Sequence, residues 1–121
     1  MKCRNDNACL QSNEERKSRI RRLNDDLRKG RGKGELLVTP GVIDLANGAL
    51  PDIFALLRDY DAFSTDNDPY SEHDFGAFSY RGAKLFWKID YYDRSLRYGS
   101  DDPANEAITT RVLTLMLASE Y

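Results

Sequence analysis

The chain has 121 residues, a formal net charge of -2, 40% hydrophobic and 31% charged residues. That is apolar material for one domain with one modest core, too little for two and too much for a disordered chain. No uninterrupted apolar stretch approaches the length of a membrane span, and the start, with Lys2, Arg4 and Asp6, lacks the apolar segment of a secretory signal. No membrane association is therefore expected, the cytoplasm is the expected compartment, and Cys3 and Cys9 are expected to stay reduced.

Charge is distributed unevenly. Residues 1–37 carry eleven basic and six acidic groups, whereas residues 59–102 carry ten acidic and five basic ones. Such a chain either presents two faces of opposite sign or folds the segments against each other so that they neutralise.

Residues 1–11 read as a disordered polar tail and residues 12–121 as a single domain. Ser12 followed by Glu15 is a capping-box pattern, and Ile20, Leu23 and Leu27 recur at helical spacing, predicting a first helix. Its other faces carry Arg16, Arg19, Arg21, Arg22 and Arg28 and are expected in solvent. Gly30-Arg31-Gly32-Lys33-Gly34 ends the helix in a flexible basic loop. A phosphate-binding reading of that loop fails, because no Gly-Lys-Ser/Thr leads into a helix; Lys33 is followed instead by the strand-like Leu36-Leu37-Val38-Thr39.

Pro40-Gly41 reads as a turn, and the state of Val42-Ile43-Asp44-Leu45 stays open. Pro51 opens a helix to about Asp59, with Ile53, Phe54, Leu56 and Leu57 expected to supply its buried face. Residues 61–73 are rich in turn formers and predict an exposed loop. Arg81-Gly82 then suits a tight hairpin turn, which places Tyr80 opposite Ala83 and Phe78 opposite Leu85. That register puts Phe78, Leu85, Trp87, Ile89 and Tyr91 on a core face, and Phe75, Ala77, Phe86, Lys88, Asp90 and Tyr92 on the other. Asp102-Pro103 resembles a helix start, and Ile108, Val112, Leu115 and Met116 fit the stripe of a final helix. The whole predicts an α+β domain: a small antiparallel sheet built around the β-hairpin, packed by about three helices.

The densest chemistry lies in Asp66-Asn67-Asp68-Pro69-Tyr70-Ser71-Glu72-His73-Asp74, which holds four carboxylates and the only histidine. Carboxylate density of this kind suits a divalent cation, but EF-hand spacing fails and no second Cys/His pair gives zinc spacing. The competing interpretation is a turn network in which Asp66, Asn67 and Asp68 bond to backbone amides. Asp74-Phe75-Gly76 matches the letters of the kinase magnesium motif without any of that fold's other parts. Lys88 and Asp90 share a face and are either a proton-transfer pair or, more commonly, a surface ion pair. No metal, cofactor or catalytic residue is assigned. Structural roles are expected for His73 and Asp74, and exposure at the loop tip for Asp66 and Asp68.

From about Arg19 to Tyr121 the chain resembles a bacterial family known as domain of unknown function 3768. The resemblance rests on Arg21-Arg22-Leu23-Asn24-Asp25, on residues 66–76, on Phe86-Trp87-Lys88-Ile89-Asp90-Tyr91-Tyr92-Asp93, and on Arg111-Val112-Leu113-Thr114. It implies a proteobacterial, plasmid or phage setting and no established activity. The leading expectation is a non-enzymatic protein-binding module of a mobile element, directed at a host nuclease or defence system. Its binding residues would be Asp66, Asp68, Tyr70, Glu72, Lys88, Asp90, Tyr92 and Asp93, forming an acidic, aromatic surface for a cationic groove. The alternative is a small metal-dependent hydrolase or nuclease using the Asp66 to Asp74 loop together with Asp90. Nucleic acid is a further expected partner, through phosphate contacts of the basic segment Arg16 to Lys33. The chain is expected to be a monomer or a homodimer.

Overall fold

A computed structural model describes residues 13–121; the expected tail, Ser12 of the capping box and both cysteines lie outside the described residues. Helix α1 spans Asn13–Arg28, strand β1 Glu35–Val38, helix α2 Pro40–Ala46 and helix α3 Leu50–Arg58. Strands β2 (Phe75–Tyr80), β3 (Ala83–Tyr92) and β4 (Thr110–Leu117) follow, with single 3-10 turns at Glu106–Ile108 and Ala118–Glu120. The strands form one sheet in the order β1-β4-β3-β2.

The hairpin has the expected register, with Tyr80 paired to Ala83 and Phe78 to Leu85. Its turn is tight because Arg81 and Gly82 both take positive φ (51° and 78°), the backbone twist that matches the flanking strands. Leu85, Trp87 and Ile89 are buried on one face of β3, as the alternation requires.

Three expectations are corrected. The C-terminal stripe is strand β4 rather than a helix: it pairs antiparallel with β3 and parallel with β1, so the sheet is mixed rather than antiparallel. As a central strand it is flanked by β1 and β3 and carries buried residues on both faces, Arg111, Leu113 and Leu115 toward the helices and Val112 and Met116 on the other side. Pro40-Gly41 is not a turn but the first turn of α2, where Thr39 caps the helix by accepting from the Val42 amide and proline loses no hydrogen bond. Finally, Arg28 does not face solvent. Ile20, Asn24 and Arg28, four residues apart on α1, form its buried line, while Leu23 and Leu27 are only half-buried.

All three helices pack on one face of the sheet. Val42 and Ala46 of α2 and Ile53 and Leu57 of α3 meet Leu85, Trp87, Ile89, Leu113 and Leu115 in a single core. Gly76, paired with Trp87, gives the indole room: a Cβ there would collide with the indole nitrogen and lie 2.7 Å from Tyr60 Cζ. No single helix among the described residues is long and apolar enough to cross a membrane. The bent pair α2 and α3 passes that test only jointly, and its residues Val42, Ala46, Ile53 and Leu57 belong to the core.

Candidate functional site

The acidic loop folds onto α1 and the core, and most of its polar groups are engaged there. Asp68 is buried, contrary to its expected place at an exposed tip, and its carboxylate accepts from the amides of Glu72 (3.0 Å) and His73 (3.2 Å). Those bonds hold a tight bend in which Ser71 and His73 both adopt positive φ (56°), a region costly for residues with a Cβ. The His73 ring stacks on Phe63 at 3.7 Å, and its Nδ1 lies 2.8 Å from Asp25 Oδ1. Asp25 in turn accepts from Arg28 at 3.0 Å. Arg28 donates to the carbonyls of Leu57, Arg58 and Tyr60 at 3.0–3.1 Å, covering the negative end of α3. It also lies 5.5 Å from the Phe63 ring centre. The Arg28 Nε and Trp87 Nε1 groups are buried without a hydrogen-bond partner among the described residues.

Asn24, completely buried, organises a second set. Its amide donates to Tyr91 Oη (2.8 Å) and the Glu72 carbonyl (3.0 Å), and its oxygen accepts from Arg111 Nε (2.8 Å). Tyr91 donates onward to Glu72 Oε1 at 2.8 Å. Arg111 also donates to the Pro103 carbonyl and sits over the Tyr91 ring. Burial pushes the Tyr91 hydroxyl pKa far above its ordinary value and draws the Arg111 guanidinium below its own. Burial likewise raises the Asp74 carboxyl, with the charges of Glu72, Asp68 and Asp90 adding to it against a backbone hydrogen bond that lowers it.

The expected binding residues therefore do not form one surface. Asp66 and Tyr70 are exposed in the loop on the helix side, while Asp68 and Glu72 are tied into the network just described. Asp93 caps its own turn, accepting from the Ser95 amide and hydroxyl and the Arg97 amide, contacts that hold its carboxyl below the usual range. Lys88, Asp90 and Tyr92 occupy the opposite face of the sheet. There Lys88 Nζ lies 2.7 Å from Asp90 Oδ2, an ion pair whose hydrogen bond raises the ammonium pKa. Among the described residues, no group of three or more His, Cys, Asp or Glu side chains is placed to hold a metal ion.

The outer face is where exposed groups gather. No helix among the described residues covers it, and cross-strand pairing sets Leu37, Thr114, Lys88 and Phe75 in one row and Met116, Phe86 and Ala77 in the next. Phe75, Phe86 and Tyr121 form an aromatic cluster with ring centres 5.2–6.1 Å apart, and Lys84 stands 5.5 Å from the Phe86 ring centre. Lys84 and Tyr121 are exposed; Phe75, Phe86, Lys88, Asp90 and Tyr92 are half-buried. Alternation along β3 marks Phe86, Lys88, Asp90 and Tyr92 as sharing this face; the part the C-terminal Tyr121 plays carries no sequence signal.

The basic segment is partly consumed by the fold. Arg16 pairs with Asp102, Arg21 donates to the Ser71 carbonyl, Arg31 lies 3.3 Å from Asp26, and Arg28 is buried. The oppositely charged stretches thus meet at the Arg16 and Asp102 ion pair, while Arg28 and Arg31 pair with acids of their own stretch. Arg19, Arg22, Lys29 and Lys33 remain on the surface.

A two-layer α+β protein with three helices on one side of a mixed sheet and a mixed aromatic and charged face on the other is the class this architecture defines. The chain matches the family described as protein of unknown function (DUF3768) over residues 38–120, more than half its length, and belongs to that family. The match starts at Val38, so α1 and most of β1 lie outside it. No curated protein and no solved structure matches the chain.

Proposed function

We propose that the protein is a cytoplasmic, non-enzymatic protein-binding module whose partner docks on the outer face of the sheet. The observation that carries this reading is the sheet face that no described helix covers, bearing the Phe75, Phe86 and Tyr121 cluster beside Lys84, Lys88, Asp90 and Tyr92. Aromatic residues ringed by polar groups are the composition of protein interfaces, and a strand scaffold presents them without an ordering cost. A mobile-element setting would make a host nuclease or defence protein the partner. The loop residues Asp66 and Tyr70 belong to the segment that packs on α1 and have no part in this contact. The metal-dependent hydrolase alternative would require Asp68, Glu72 and His73 to give up the bonds that fold the loop.

Affinity capture from host lysate with two double variants tests the proposal. Phe86→Ser with Lys88→Glu should abolish capture of the partner, and Asp66→Lys with Tyr70→Ser should leave it intact. Failure of the wild-type chain to capture any protein, or loss with the loop variant alone, would overturn it. For the alternative, calorimetry with Mn²⁺, Mg²⁺ and Zn²⁺ is expected to show no binding tighter than millimolar.

A further inference from the structure

The sheet has two edges, and they are unlike. Of the large apolar residues that are exposed among the described residues, two are consecutive in β1, Leu36 (46% exposed) and Leu37 (52%), and none lies in β2. Natural edge strands are usually blunted by short length, charge, proline or a bulge, and Glu35–Val38 has neither proline nor bulge, its protection being limited to its four-residue length and Glu35 at its start. Because Thr39 N–H donates to the Leu115 carbonyl, alternation turns the amides of Glu35 and Leu37 toward β4 and the N–H and C=O groups of Leu36 and Val38 outward. Below this edge, on the helix side, is a slot of about 130 Å³ lined mainly by Leu27, Leu36, Phe54, Leu57 and Leu113, with Arg28 and Arg58 at its border. Backbone groups without a partner among the described residues, apolar side chains on both faces and an adjacent slot are the components of strand addition.

We infer that β1 is a homodimer edge, pairing antiparallel with β1 of a second copy about a twofold axis at Leu37 to give a continuous eight-stranded sheet. The strand is self-complementary in this register. Leu36 and the partner's Val38 exchange backbone hydrogen bonds, as do Val38 and the partner's Leu36, and the two Leu37 side chains meet on the outer face. The partner's Val38 comes to rest beside Leu36, at the mouth of the apolar slot. Charge selects the same orientation. Lys33, exposed just before β1, approaches Glu120 of the partner subunit, since Glu120 accepts from the Thr39 hydroxyl (2.7 Å) at the far end of the strand. Parallel pairing would set Lys33 against Lys33 and lose that contact. This inference is independent of the outer-face reading, although it would join the outer faces of two copies into one.

Sedimentation of the full chain should give twice the 13.8 kDa chain mass at tens of micromolar. Leu37→Lys should convert it to a monomer whose circular dichroism is unchanged. A register test needs no monomer to survive. In a Cys3→Ser, Cys9→Ser background, Leu37→Cys should form an intermolecular disulfide on mild oxidation, because directly opposed residues of a non-hydrogen-bonded pair stand about 4.5 Å apart at Cα. Leu36→Cys, facing Val38 in the partner, should stay reduced. A monomeric wild-type chain, or cross-linking through Leu36→Cys in place of Leu37→Cys, would overturn the proposal.

Discussion

Replacing Asn24 with alanine removes three hydrogen bonds from a side chain with no solvent exposure. The consequences for the three partners differ. Tyr91 Oη keeps its bond to Glu72, and the Glu72 carbonyl belongs to a half-buried residue that water reaches. Arg111 Nε, a charged donor on a residue only 3% exposed, is left alone and takes the largest share. A buried donor or acceptor without a partner costs about 1–3 kcal/mol, more when charged, so the sum is about 3–4 kcal/mol. In a domain of this size that lowers Tm by roughly 10–20 °C. Urea unfolding should show it as a reduced midpoint at constant slope. A cycle with Tyr91→Phe should be non-additive by about 0.5–1 kcal/mol or more, because the two side chains share one network. A loss below about 1 kcal/mol, additive with Tyr91→Phe, would refute the assignment of Asn24 as the link between α1 and the sheet.

The bend of the acidic loop gives a ranking: Asp68→Ala and His73→Ala should each cost roughly 1–2 kcal/mol in thermal melts, and Asp66→Ala less than about 0.5; equal effects at all three positions would contradict the network. Asp74, whose folded pKa is raised by burial, binds its proton more readily folded than unfolded, so it withdraws stability as pH rises from the ordinary carboxylate range through its folded pKa. Asp74→Asn should therefore melt higher than wild type at pH 7, with the difference shrinking toward pH 4; a gap that widens on acidification would reverse the sign. Gly76→Ala should cost about 2–3 kcal/mol or prevent folding, because its methyl group meets the Trp87 and Tyr60 rings. Gly48→Ala, at φ 89° with open space around it, should cost only about 1 kcal/mol, and comparable urea midpoints for the two variants would disprove the close contact.

The sequence alone determined what depends on neighbours along the chain. Tyr80-Arg81-Gly82-Ala83 closes on itself, so the turn sets the register of β2 and β3, and alternation outward from it assigns Leu85, Trp87 and Ile89 to the core. Pro51 at the first turn and the spacing of Ile53 and Leu57 likewise define α3 locally. The family resemblance, too, was legible in residues 66–76 and 86–93, both inside the matched region. Strand β4 was not, because a central strand with apolar residues on both faces shows no alternation, and Ile108, Val112, Leu115 and Met116 then fit a helical stripe as well. Its pairing with β1 joins Glu35 to Val112, and nothing near either residue in the chain records that contact. The same holds for the polar side chains of the interior. Asn24, Arg28 and Arg111 have the composition of a surface, and only the arrival of Glu72, Tyr91 and the last carbonyls of α3 makes burying them tolerable, since a charge or amide enters a core only where its hydrogen bonds are met. Tertiary structure also decided the fate of the acidic loop. Asp68 and Asp66 are two residues apart and chemically identical, yet one folds the bend and the other faces water, because only Asp68 lies within reach of the Glu72 and His73 amides that the bend turns inward.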